Sequence, residues 1–323
     1  MPAHRHPAAA EPTIIGLDIG GTKTAIVEGD PATGATLQRE EIPTHARVPF
    51  AERVPAIASV IDRVREEAAR AGRRVRAISV SVGGPLRIGE GELLDPPHLP
   101  GWHGAPLRAT LAGRYPDLPV HVEHDGNAGA LAEFRFGAGA GRPGLRHLVF
   151  LTAGTGLGGG IIANGALLRG ASDTAGEFGF FPMTAPAGGG DRTAGSWDYL
   201  ASGSGLLRQA QAMFPDRWGG AATIRDVVSA AVADDAEALA VVTRTGEWLG
   251  RGLTLIVTAL NPEVIAVGTL GVVLGDRLLA PARAIVAATA LPAAARACAI
   301  VPAALGNRIG DVAAIMAALA AGW

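Results

Sequence analysis

The chain of 323 residues has a single cysteine, Cys298, so it can form no intrachain disulfide and offers no cysteine cluster to a metal. That scarcity suits a reducing compartment, and the cytoplasm is the expected location. Long apolar runs are missing too. The most apolar stretch, 252–268, is interrupted by Asn261, Pro262 and Glu263, which excludes a membrane-spanning helix of about 20 apolar residues. The opening MPAHRHPAAAEP lacks an apolar core of signal-peptide length, because Glu11 and Pro12 interrupt it, and residues 1–12 are expected to form a disordered tail. Charge of one sign is not in excess either. At a formal net charge of -2 the chain lacks the basic face that nucleic acid or an anionic membrane demands, so the expected partner is a small molecule.

What is there points to folded domains. Hydrophobic residues make up 48% of the chain and charged residues 18%, enough to bury sizeable cores, and the length predicts roughly two domains. β-branched runs punctuated by glycine alternate with alanine-rich helical stretches, the pattern of an α/β fold. TIIGLDI (13–19) and TAIVEG (24–29) flank GGTK and read as a hairpin. Residues 51–71 carry Val54, Ile57, Ile61 and Val64 near helical spacing, while VRAISVSV (75–82) and PVHVE (119–123) read as strands. A helix is expected over 127–136. The arrangement then recurs: HLVFLTA (147–153), a glycine turn GTGLGGG, and IIANG (161–165) as the returning strand. This recurrence predicts two related domains that share a cleft, with a boundary between 120 and 130. Helices are expected over 203–213 and 236–260, a strand at EVIAVG (263–268) and a last helix over 311–321.

Two glycine turns invite nucleotide-binding readings that fail on context. GLDIGGTKT (16–24) is not a P-loop, because Thr22 separates Gly21 from Lys23 and a strand rather than a helix follows. GTGLGG (154–159) fits G-x-G-x-x-G, yet IIANG after it is again strand-like, whereas the dinucleotide fingerprint needs a helix. Either turn could be an ordinary glycine hairpin. As a pair they offer backbone N–H groups to an anion from two domains, with Thr22, Lys23, Thr24 and Thr155 as further donors. Between them in sequence stands HDGNAGALAEF, which sets Asp125 where a strand ends and a helix begins. A helix N-cap is one job for an aspartate there.

These residues resemble the ROK family of sugar kinases and repressors, within the actin-like, hexokinase-like ATPase fold. DIGGTKTAIV resembles the first phosphate loop of the family and LTAGTGLGGGIIANGALLRG the second. HDGNAGALAEFRFGAG is similar to its catalytic segment, AGEFG (175–179) to its sugar-binding signature, LNPEVIAVGTLG to its adenosine-side segment and LGNRIGDVAAIMAAL to its closing helix. The resemblance runs from Ile14 to Leu319. It implies an α/β, two-domain fold with a cleft, an N-terminal domain over 13–124 completed by a C-terminal helix in 308–323, and a C-terminal domain over 125–307.

The resemblance implies an ATP-dependent carbohydrate kinase of glucokinase or N-acetylhexosamine kinase type, with Mg²⁺ as cofactor and a homodimeric assembly. Asp125 would be the general base and Asp18 would hold Mg²⁺ through water. Gly20, Gly21, Thr22, Lys23, Thr24, Thr155, Gly156, Gly158, Gly268 and Gly271 would bind the nucleotide. Gly84, His98, His124, Asp125, Glu177, Phe180 and Asp198 would line the sugar site. Several of these depart from the family pattern. His124 replaces the usual Asn before the catalytic Asp, Phe180 replaces a His after AGEFG, and Asp198 stands for a longer Glu. His98 occupies a place where relatives often carry Asn. The segment AGGGDRTAGSWD has none of the cysteines that bind structural zinc in much of the family, so no zinc site is expected. The altered positions point to a changed substrate.

Other candidates have plainer readings. In HVEH (121–124) the strand period puts His121 and Glu123 on one face and His124 on the other, which argues against a metal cluster. Phe180 and Phe181 read as packing residues as well as a sugar platform, Trp102 as a cleft lining or a loop anchor, and Cys298 as a small buried hydrophobe. Two other functions compete with the kinase: a sugar-sensing regulator, disfavoured because only a short tail precedes Thr13, and a catalytically weak sugar-binding protein.

Overall fold

The computed structural model describes residues 10–185 and 194–322. The first half runs β1 (Glu11–Ile19), β2 (Lys23–Gly29), β3 (Thr36–Pro43), α1 (Phe50–Arg70), β4 (Arg73–Val82), a small β5–β6 hairpin (Leu86–Arg87, Glu92–Leu93), α2 (Leu107–Arg114), β7 (Val120–His124) and α3 (Asp125–Phe136). The second runs β8 (Leu148–Ala153), β9 (Leu157–Ala163), β10 (Ala166–Leu167), α4 (Trp197–Ala201), α5 (Gly203–Met213), α6 (Pro215–Trp218), α7 (Ile224–Val232), α8 (Ala236–Leu260), β11 (Val264–Val267), α9 (Leu270–Leu274), α10 (Asp276–Thr289), α11 (Pro292–Ala297) and β12 (Ala299–Pro302). Two short helices, α12 (Ile309–Ala314) and α13 (Met316–Ala320), close the chain. It divides into two compact units, one holding the residues up to Ala128 together with Arg308–Trp323, the other Gly129–Asn307.

In the first unit the sheet order is β3-β2-β1-β4-β7. β1 pairs antiparallel with β2 and parallel with β4, which pairs parallel with β7. β1 is apolar almost throughout because both its faces are covered. Ile15, Leu17 and Ile19 join Ile57, Ile61, Val64, Leu107 and Leu111 in one core with α1 and α2. Alternate residues face α12 and α13: a Cβ on Gly16 would lie 2.7 Å from Ala314 Cβ, and one on Gly29 2.7 Å from Ile315 Cγ2. Trp102 anchors its loop, fully buried with its ring 5.0 Å from Phe50.

The second unit repeats the plan, with sheet order β10-β9-β8-β11-β12, an antiparallel β8–β9–β10 meander and β11 and β12 parallel to β8. Its long helix α8 packs on α10 through Gly246 and Gly250, where a Cβ would stand 2.6 Å from Leu278 O and from Ala282 O respectively. Cys298 packs against this core, and burial pushes its thiol up to about 12.

Three expectations need adjusting. Glu11 and Pro12, expected in a disordered tail, belong to β1 and pair with Arg73 and Arg74 of β4. GTGLGGG is not all turn: Leu157–Gly160 belong to β9 and pair with Phe150–Ala153, so only Gly154–Gly156 turn. The last helix breaks at Ile315 into α12 and α13.

Candidate active site

The β1–β2 turn is held from beneath. The Gly20 N–H donates to Lys23 O at 3.0 Å, and the Thr44 hydroxyl donates to Gly20 O at 2.7 Å while contacting Thr24 Oγ1 at 2.9 Å. Thr24 was expected to donate to a phosphate. Its hydroxyl instead points inward, 1% exposed, because β2 alternates and residue 24 falls on the inner side. Thr22 and Lys23 are exposed, and the Lys23 ammonium sits on Glu41 at 3.0 Å. Gly21 is obligatory, since a Cβ there would stand 2.7 Å from His98 O; that contact sets His98 beside the turn.

Asp18 lies near the end of β1, with Gly310 leaving room for it: a Cβ at that glycine would meet Asp18 Oδ2 at 2.5 Å. Burial, then repulsion from Asp125 and Asp311, raises the Asp18 carboxyl to about 6, against weaker pull from Lys23 and Arg39. Ser81 of β4 stands in register with Asp18, buried, and its Oγ has no partner. A crowded carboxylate beside an orphaned hydroxyl suits a hard cation. No cluster of three or more His, Cys, Asp or Glu able to hold a metal occurs among the described residues.

Asp125 is the first residue of α3, and its side chain is 52% exposed. Its Oδ1 accepts from the Gly126 N–H at 2.7 Å, a bond to the next amide rather than to one further into the helix as an N-cap makes. His124 Nδ1 also accepts from the Gly126 N–H, at 3.2 Å, and lies 3.4 Å from Asp125 Oδ1. Gly84 makes room for this imidazole, since a Cβ would stand 2.9 Å from its Cδ2. Below, the buried Glu123 carboxylate accepts from the His124 N–H at 3.0 Å and from Asn127 Nδ2 at 2.9 Å, bridging the residues on either side of Asp125. Sequence reasoning missed Glu123 and Asn127 as a pair, although their spacing of four across a strand-to-helix junction was available.

In the second unit the Gly154–Gly156 turn docks on α5. Gly154 O accepts from the Gly203 N–H at 2.7 Å, and Thr155 O accepts from the Ser204 N–H at 3.1 Å and its hydroxyl at 2.9 Å. Thr155 and Gly156 remain exposed, whereas Gly158 lies within β9 opposite Thr152. Asp198, expected at the sugar, turns one oxygen to this loop, accepting from the Leu157 N–H at 2.5 Å. The AGEFG segment crosses β9 where glycines permit it: a Cβ on Gly176 would meet Gly159 O at 2.5 Å, and one on Gly179 Leu157 O at 2.4 Å. Glu177 is exposed there. Phe181 packs between Phe178 and Trp197, as expected, but Phe180 does not pack and stands 69% exposed. Gly268 and Gly271 sit at the end of β11 and start of α9; the Gly268 N–H donates to Leu151 O at 2.8 Å. The segment at 186–193, where the zinc cysteines of relatives would begin and none is expected to bind zinc here, lies outside the described residues.

The sequence model of the ROK family matches residues 14–321. The chain belongs to the ROK family. It is similar to a glucokinase of Halalkalibacterium halodurans, 33% identical over 313 residues that cover 92% of each chain. An N-acetylmannosamine kinase of Escherichia coli O157:H7 is 30% identical over 261 residues, 79% of this chain and 82% of the relative. Among solved structures, a ROK family glucokinase from Streptomyces griseus in complex with glucose and AMPPNP superposes with a TM-score of 0.77 at 29% identity, covering 95% of this chain and 99% of that one. The fold of this ROK protein is thus the α/β, two-domain fold of the actin-like ATPases.

Proposed function

We propose that this ROK family member is a carbohydrate kinase that transfers the γ-phosphoryl group of ATP to a sugar hydroxyl, with Asp125 as general base. The observation that carries the reading is the Asp125 carboxylate itself: half-exposed, held at the first turn of α3 by the Glu123–Asn127 bridge, and not consumed as a helix cap. Glucokinase and N-acetylmannosamine kinase relatives support the substrate class. Asp125 aligns the acceptor hydroxyl and takes its proton as the new O–P bond forms and the bond from γ-phosphorus to the ADP oxygen breaks. Backbone amides of Gly21 and Thr22 in the first unit, and of the Gly154–Gly156 turn in the second, are the donors this reading offers to phosphate oxygens. Mg²⁺, when bound with ATP, supplies charge neutralisation, and Asp18 with Ser81 would hold it through water. Phe180 and Glu177, both exposed in the second unit, are the proposed sugar contacts, an apolar ring and a carboxylate.

The test is a coupled ADP-release assay over hexoses and N-acetylhexosamines, with Asp125→Asn as control. Turnover on one sugar should fall about 10²- to 10⁴-fold in the variant, the worth of general base catalysis. Turnover that survives the substitution, or stabilisation by a sugar with no ADP released, would refute the proposal; the second result would identify a sugar-binding protein instead.

A further inference from the structure

Glu133, in the third turn of α3, is fully buried, and no cation among the described residues pairs with it. Three backbone N–H groups satisfy it instead. Its Oε2 accepts from Ala138 at 2.7 Å and from Ala304 at 3.0 Å, and its Oε1 accepts from Leu305 at 2.9 Å. A buried carboxylate without a counter-charge is costly unless its oxygens are hydrogen-bonded in this way. The local backbone is shaped around it: the Gly137 and Gly139 N–H groups turn back onto Glu133 O at 3.1 and 2.8 Å, and a Cβ on Gly137 would collide with Glu133 Oε2. Capping the end of α3 needs the Ala138 bond alone. The bonds to Ala304 and Leu305, 171 and 172 residues away, do nothing for the helix end.

All three bonds lie inside the second unit, yet they join the two stretches of chain that lead into the first. The chain leaves the first unit at Ala128, within α3, and returns at Arg308, three residues after Leu305. Followed into the first unit, the same two stretches carry the carboxylates of the site. α3 begins with Asp125. Beyond Leu305 the backbone turns at Gly306, φ 54°, and enters α12, where Gly310 leaves the room that Asp18 Oδ2 occupies. We propose that Glu133 is a positioning residue for phosphoryl transfer: by fastening the returning segment to α3 it fixes Asp125 and the neighbour of Asp18 in one geometry. This rests on the kinase reading and adds to it a residue that touches neither substrate. Misplacing a reacting group by about 1 Å through a distant substitution can lower a rate about 10²-fold, so a remote clamp of this kind has a measurable effect.

Two substitutions test it by different routes. Glu133→Gln keeps the size but turns an NH₂ group toward backbone donors, so its one oxygen cannot serve both Leu305 and the Ala138–Ala304 pair. Gly137→Ala leaves Glu133 in place and pushes its carboxylate off the same amides. The readouts are kcat with the best sugar of the hexose and N-acetylhexosamine panel, the KM for ATP, the affinity for AMP-PNP by calorimetry, the melting temperature, and amide hydrogen exchange of the ligand-free protein. Both variants should stay folded and bind AMP-PNP as the wild type does, with an unchanged KM for ATP. Their kcat should fall about 10- to 10²-fold, and exchange over 304–314 should quicken. A purely structural carboxylate would lower the melting temperature and leave kcat alone. Wild-type kcat in folded variants, or variants that no longer fold at the assay temperature, overturns the proposal and leaves the kinase reading intact. A wild type that turns over no sugar removes the kinase reading and this role with it.

Discussion

Asp18 and Asp125 place two carboxylates in one corner of the first unit, and the more buried of the two bears the consequence. Asp18 keeps its proton to about pH 6 in the folded chain, against 3.8 for the free side chain. Between those values the folded state binds more protons than the unfolded state, so stability is fully present below pH 4 and declines as pH rises to 6. The loss is on the order of 2–3 kcal/mol. Asp18→Asn should therefore melt with the wild type at pH 4 and clearly above it at pH 7 in ligand-free protein, while losing kinase activity. Denaturation curves across that pH range decide it, and equal wild-type and variant stability at pH 7 would show that the carboxylate is not under this strain. Residues of this kind were legible as types but not as orientations. Thr24 and Thr22 are two positions apart in the same motif, yet one ends inside and the other outside, because the hairpin register decides which face each takes. Asp198 was legible as an acid in the right segment; that its oxygen would serve the Leu157 amide depends on the close approach of α4 to β9, which spacing does not encode.

At the scale of elements, glycine patterns foretold where backbones meet but not what they meet. Gly252 on α8 was an unremarkable letter in a helical stretch, and it proves to be the seat of Trp197, whose ring carbon Cε2 would lie 1.9 Å from a Cβ there. Trp197 opens α4 and neighbours Asp198, so Gly252→Ala should push the start of α4 away from the Gly154–Gly156 turn. Overpacking of this kind costs about 1–3 kcal/mol or more. A melting temperature lowered by several degrees and a raised KM for ATP are expected, and an unchanged KM at reduced stability would uncouple α4 from the turn. The elements missed in sequence were missed for different reasons. β3 is an edge strand, TLQREEIP, whose exposed positions carry Arg39 and Glu41 and so erase the apolar signal a central strand shows. α10 carries Pro281 inside it and is held by the glycines of α8, a packing fact rather than a pattern. By contrast β1, β4 and α1 were plain, because strands covered on both faces and a long amphipathic helix write their burial directly into composition.

For the whole molecule, the decisive feature is the path of the chain, which leaves the first unit at Ala128, builds the second and returns at Arg308. The returning α12 and α13 cover one face of the first sheet, with Ala314 on Gly16, Ile315 on Gly29, and the Ala318 N–H donating to Ser79 Oγ at 3.3 Å. Val312, Ile315, Met316 and Leu319 are all buried. Each such side chain contributes about 1.5–3 kcal/mol by burial, so together they match the 5–15 kcal/mol by which a domain is typically stable. Deleting residues 308–323 should then unfold the first unit and leave the second, whose core is drawn wholly from its own residues, as a protease-resistant fragment. Limited proteolysis with mass spectrometry reads the outcome: cleavage concentrated before Ala128 with residues 129–307 surviving fits a closing segment that belongs to the first unit. Cleavage spread evenly over both units would mean that the two sheets stand or fall together, and that the core of each is not independent of the other.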